Sequence, residues 1–237
     1  MIKDDWQNCI DSEWVDGGAD QIDVINPSSG KKLAKHALAD DRDVDRPVRA
    51  ANRVQMSGAL SDLCPIERGR MVQARGRYLL AHIDDIAPVL TLEQGKPLWE
   101  SRIEGAARSL SAALATGNTC VIKTPELTPL ANAWFARAAK SLGLPAGAVN
   151  IPCGLGHQTG ATLSNHPLVN QIVFTGSFQT GITISTAAAR NVVPCILELA
   201  ANQRPLFVTT PIWQRLKTTS AGEFISTRVR SVPPCRV

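Results

Sequence analysis

Three places along the chain put a charged or anion-holding group directly after an apolar, β-branched run. In VIKTPE, Lys123 and Glu126 follow one such run. A cation and a carboxylate there can bind the phosphate and ribose of a dinucleotide; the carboxylate accepts from ribose hydroxyls and repels a 2′-phosphate. In FTGS, Gly176 and Ser177 lead from a strand pattern into a helix pattern. Backbone N–H groups at such a start form an anion site suited to pyrophosphate. In LEL, Glu198 stands where a strand ends, and a general base there can reach a bound substrate. Taken singly each signal is weak. A Lys or Glu after a strand is more often a solvated charge, and Ser at a helix start is more often only a cap.

Metal chemistry finds no support. Cys9, Cys64, Cys120, Cys153, Cys195 and Cys235 contain no CxxC pair, and His36, His82, His157 and His166 have no ligand-like spacing. The same scatter argues against a disulfide framework.

The elements that must position these groups are legible as an alternation. From residue 106 the chain reads helix (AARSLSAALATG), strand (CVIKT), helix (PLANAWFARAAKSLG) and strand (AVNIP). A short helix (TGATLSNH), strand (QIVFTG), helix (QTGITISTAAARN) and strand (PCILEL) follow. That order predicts an α/β fold of Rossmann-like kind, a parallel sheet with helices on both faces and ligands at the carboxyl ends of the strands. Before it, residues 22–38 read as two short strands around the turn at Asn26-Pro27-Ser28-Ser29-Gly30. A helix capped by Asp40-Asp41 comes next, then one opened by Pro65 and one over roughly 84–104 interrupted at Gly95 and Pro97. The domains expected are 1–105, strands and helices; 106–199, a partial nucleotide-binding domain; and 200–237, an irregular tail.

The chain has 237 residues, 44% hydrophobic and 19% charged, with a net charge of +4. Arg204, Arg215, Lys217, Arg228, Arg230 and Arg236 against Glu223 make the tail alone basic, so the charge points to no nucleic-acid surface. No apolar run approaches membrane-spanning length and the start lacks the pattern of a signal peptide, which predicts a cytoplasmic protein without a membrane partner.

Order and spacing together say more than the single signals. With LEQGKP at 92–97, AALATGNTCVIKTPELTP at 113–129 and GLGHQTGATL at 154–163, the set resembles the NAD(P)-dependent aldehyde dehydrogenase family over essentially 6–199. The resemblance implies NAD-dependent oxidation of an aldehyde to a carboxylic acid, through a cysteine thiolate that attacks the aldehyde. It implies that Lys123 and Glu126 hold the adenosine ribose, the glutamate favouring NAD over NADP. Gly156 and Gly160 would lie beside the cofactor, Gly176 and Ser177 at the pyrophosphate, and Glu198 would be the general base. The partner implied is a small-molecule aldehyde, and the intact family forms oligomers through a carboxyl-terminal arm not found in this chain.

Two departures bear on activity. At Gly105-Ala106 the family normally carries several dozen further residues, including the first strand of the cofactor domain and the asparagine that stabilises the oxyanion. Losing that central strand predicts two half-sheets with unpaired inner edges, weak or absent nucleotide binding and self-association. After Leu199 the family's glycine pair is replaced by Ala200-Ala201, and VPPCRV gives Cys235 none of the nucleophile's context. With synonymous codons free, a shifted reading frame from Leu199 spells FNAGAVC, like the family's nucleophile motif, so the tail reads as a frameshift product. The expectation is a truncated, catalytically inactive family member. The alternative is a non-enzymatic remnant serving as a weak nucleotide-binding or protein-interaction module.

Overall fold

The computed structural model describes residues 4–104, 108–199 and 224–229. Five short strands open the chain: β1 (Asp5–Trp6), β2 (Asn8–Ile10), β3 (Glu13–Val15), β4 (Gln21–Ile25) and β5 (Lys32–Ala37). β2 and β3 form a hairpin whose two linking residues, Asp11 and Ser12, both have positive φ, at 56° and 63°. Such a two-residue turn matches the strand twist, and Asp is among the residues that tolerate it. β4 and β5 pair antiparallel around the expected turn, and β1 adds to β5 in parallel.

Helices α1 (Asp45–Met56), α2 (Pro65–Ala81), α3 (Ile83–Gln94) and α4 (Leu98–Glu104) follow. Gly95, with φ 76°, ends α3, and Pro97 precedes α4, so the interruption expected there is a true break.

The alternation of helix and strand expected after residue 106 is present. It comprises α5 (Arg108–Ala115), β6 (Thr119–Lys123), α6 (Ala133–Ser141), β7 (Val149–Asn150), α7 (Ala161–Ser164), β8 (Gln171–Gly176), α8 (Phe178–Arg190) and β9 (Cys195–Leu199). A 3₁₀ turn at Leu130–Asn132 leads into α6, and one π-helical turn at Gly156–Gly160 leads into α7.

Two apolar clusters cover the two faces of this sheet. Cys120 and Ile122 pack with Leu110, Leu114, Ala136 and Ala139, from α5 and α6. Val121, Ile172 and Phe174 pack with Val44, which precedes α1, with Val48 of α1 and with Ile184 of α8. Alternating residues of β6 thus enter opposite clusters, and every residue of that strand is buried. Its first residue is tied to α1, because the Thr119 amide donates to Gln55 Oε1 at 3.0 Å and its hydroxyl donates to the Ala51 carbonyl at 3.0 Å.

The sheet departs from the expected pattern at its centre. Its order is β7-β6-β10-β8-β9, where β10 is Phe224–Val229. β6 with β7 and β8 with β9 are parallel, whereas β10 is antiparallel to both β6 and β8. The sheet is therefore mixed, not purely parallel. The inner edges of β6 and β8, expected to be unpaired, are both paired. Six residues of the tail, expected to be irregular, form a strand; the rest of the tail, with Cys235, lies outside the described residues. The physical reason is the demand of buried backbone groups for partners, which any extended segment able to reach the gap can meet. Among the described residues, no helix is long and apolar enough to cross a membrane.

Candidate functional site

The carboxyl end of β6 carries the densest constellation. Lys123, its last residue, is 1% exposed, and its Nζ lies 2.8 Å from Glu126 Oε2. Pro125 follows the strand and begins a turn that returns the Glu126 carboxylate over the buried ammonium. A buried cation needs such a partner, since unpaired it would carry a large desolvation cost. Burial of Glu126 works to raise its carboxyl. The hydrogen bond and charge of Lys123, with the N–H groups of Glu126 itself and Gly156, outweigh that and hold it below its ordinary range. At neutral pH the carboxylate is ionised and still has lone pairs for further donors.

The Gly156 amide brings the glycine-rich segment into the same constellation. Gly156 opens the π turn and Gly160, buried, closes it. The approach to this turn is narrow at Gly154, a residue the sequence reading did not single out. A Cβ there would collide with the Thr159 side chain and come within 2.7 Å of the Ala39 carbonyl oxygen. The Thr159 hydroxyl itself donates to that carbonyl at 2.6 Å. The run of glycines in GLGHQTG was the available signal for such a close approach.

At the end of β8, Gly176 is buried and Ser177 turns the chain into α8 with φ −70° and ψ 152°. The Ser177 hydroxyl accepts from the Thr180 amide at 3.1 Å, so its oxygen serves as the helix cap. What remains to meet an anion is the group of first-turn amides, which have no acceptor within the helix. The end of β9 closes against this turn, where Gly181 leaves room for the Leu199 side chain.

Glu198 lies on β9, an outer strand of the sheet, directly beside Thr175 of β8. It is exposed, while Cys195, Leu197 and Leu199 alternate with it onto the packed face. Lys123 and Glu126 sit with Gly156. Gly176 and Ser177 lie two strand spacings across the same carboxyl edge, roughly 10 Å, and Glu198 three, roughly 14 Å.

No thiol stands near Glu198 on its face of the sheet among the described residues. Cys195 points to the opposite face, and burial pushes its thiol up. Burial pushes Cys9 up to about 11 and Cys153 to about 12. Cys64 is exposed but begins α2.

One buried acid escaped the sequence reading. Glu93 of α3 is 2% exposed and accepts from the Leu130 amide at 2.8 Å and the Ala131 amide at 3.1 Å. It joins the amino-terminal helices to the segment that follows the Lys123–Glu126 turn. Its only sequence signal was its position in LEQGKP.

With this geometry in hand, likeness to known proteins is specific. The profile of the aldehyde dehydrogenase family matches residues 14–107 and 103–212. The two stretches meet where the sequence reading places the missing segment. The second runs to residue 212, past Leu199. An aldehyde dehydrogenase of Aspergillus niger is 30% identical over 80% of this chain and 49% of its own length. Betaine aldehyde dehydrogenase of Staphylococcus aureus, solved in complex with NAD+, superposes with a TM-score of 0.78 at 26% identity, over 82% of this chain and 49% of that one. PnpE, solved with nicotinamide adenine dinucleotide, gives 0.77 at 28% identity, over 82% and 51%. The chain spans about half the length of the relatives it matches.

Proposed function

Because this chain belongs to the aldehyde dehydrogenase family, we propose that it holds the adenosine and pyrophosphate parts of NAD at the carboxyl edge of its sheet and does not turn over an aldehyde. The observation that carries this reading is the Lys123–Glu126 pair, a buried ammonium 2.8 Å from a half-buried carboxylate. The carboxylate, held ionised by that ammonium, accepts from the ribose hydroxyls and disfavours a 2′-phosphate, so NAD is taken over NADP. Gly156 and Gly160 let the backbone approach the ribose side. Gly176 and Ser177 present the first turn of α8 to the pyrophosphate.

Bound NAD supplies a hydride acceptor to an aldehyde-oxidising site. Glu198 is exposed at the same edge of the sheet, where it can take a proton from a nucleophile or from water. The nucleophile is what the described residues lack beside it, and the oxyanion asparagine of the intact family has no counterpart at the Gly105-Ala106 junction. Oxidation of an aldehyde to an acid therefore belongs to the intact family.

Titration calorimetry tests the binding. NAD is expected to bind saturably, and NADP about tenfold more weakly or worse. Glu126→Gln is expected to weaken NAD by about tenfold, because it removes a charged acceptor of the ribose hydroxyls. Absence of any NAD heat, or equal affinity in Glu126→Gln, would overturn this reading.

A further inference from the structure

The proposed nucleotide groups stand on two separate parallel pairs, β7-β6 and β8-β9, and everything between them is β10. Ile225 lies opposite Lys123 on one side and Phe174 on the other; Ser226 lies opposite Ile122 and Val173, and Thr227 opposite Val121 and Ile172. The ladder runs the full length of β6, from Val229 at Thr119 to Ile225 at Lys123. On β8 it runs from Arg228 at Gln171 to Phe224 at Thr175.

Without it, the facing edges of a wholly buried β6 and of β8 would keep unmade N–H and C=O groups in the interior, each costing the equivalent of a lost hydrogen bond. Phe224–Val229 runs antiparallel to both neighbours. β9 ends at Leu199, on the carboxyl edge of the parallel strands, and Phe224 begins β10 at that same edge, opposite Thr175.

We propose that the seam between β6 and β8 is a strand-acceptor site filled by the chain's own Phe224–Val229. This inserted strand, antiparallel to its neighbours, holds the Lys123–Glu126 half and the Gly176–Ser177 half in one sheet. The site recognises an extended backbone, because the ladder supplies main-chain hydrogen bonds on both sides. The reference to the two nucleotide half-sites rests on the function proposed above; the strand insertion itself does not.

Hydrogen exchange read by mass spectrometry on the full chain tests it. In the unmodified protein, amides of Thr119–Lys123, Gln171–Gly176 and Phe224–Val229 are expected to exchange slowly and together. Ser226→Pro removes a donor and places proline in a central strand, which a ladder does not tolerate. It is expected to speed exchange in β6 and β8 by about tenfold or more while leaving β4 and β5, which belong to a different sheet, as they were. A synthetic peptide covering residues 222–231, added to the variant, is expected to restore the protection. If Ser226→Pro prevents folding altogether, the unmodified chain still decides: fast exchange in 224–229 beside slow exchange in β6 overturns the proposal. So does unchanged protection of β6 and β8 in a folded variant. Cooperative protection of all three strands without NAD binding would instead remove the functional reading and leave this one standing.

Discussion

Glu93 is buried, and both of its oxygens accept backbone N–H groups, at 2.8 and 3.1 Å. Burial raises its pKa from 4.5 to about 8, against the lowering effect of the Ala131 and Leu130 amides. Between those two values the folded protein keeps the proton while the unfolded chain has lost it. The carboxyl's contribution is therefore fully present below about 4.5 and is lost as pH rises through about 8. Within the window the slope approaches about 1.4 kcal/mol per pH unit. Glu126 has the opposite sign: held low by Lys123, it lends stability that disappears as pH falls. Urea denaturation at intervals from pH 5 to pH 8 is expected to show stability falling with pH in the unmodified chain and a flatter profile in Glu93→Gln. An identical slope in the two proteins would mean that Glu93 is ionised in the folded state.

At the scale of the element, the start of α8 must do two things with few atoms. The Ser177 hydroxyl caps the helix through the Thr180 amide at 3.1 Å, and the remaining first-turn amides face the proposed pyrophosphate. Two substitutions separate these duties. Ser177→Ala removes the cap and is expected to cost about 1 kcal/mol in thermal or urea unfolding. Ser177→Asp keeps a cap, so stability should stay near that of the unmodified chain, but its carboxylate repels a pyrophosphate and NAD binding should be lost. Undiminished NAD affinity in Ser177→Asp would place the pyrophosphate elsewhere.

For the whole molecule, the strand at the centre of the sheet changes what the missing family segment costs. Unpaired inner edges are the ground for expecting self-association and weak or absent nucleotide binding, and the structure pairs those edges with β10. The proposed loss of turnover is independent of that pairing. Glu198 faces outward from β9 with no described thiol beside it, and catalytic groups that act as a unit leave negligible turnover when the nucleophile is lost. Incubation of the purified chain with NAD and simple aldehydes is expected to give no NADH by fluorescence. NADH formation that disappears in Glu198→Gln would show that another cysteine has taken the nucleophile's part.

The sequence alone determined what depends on neighbours along the chain. Helix and strand periodicity, the break at Gly95-Pro97 and the order of strand and helix from 106 to 199 are local patterns, and all appear in the fold. The site followed in part: Lys123 and Glu126 are three residues apart, and a single turn brings them together. Tertiary structure alone decided the rest. FISTRV carries no signal for the centre of a sheet, because its partners, β6 and β8, lie far back in the chain. Glu93 meets its amide partners 37 and 38 residues along the chain, so nothing beside it in LEQGKP foretells a buried acid. Glu198 reads as a strand-end base in sequence. Only the sheet order makes β9 an outer strand, and only side-chain alternation turns the glutamate away from Cys195, because a strand sends successive side chains to opposite faces.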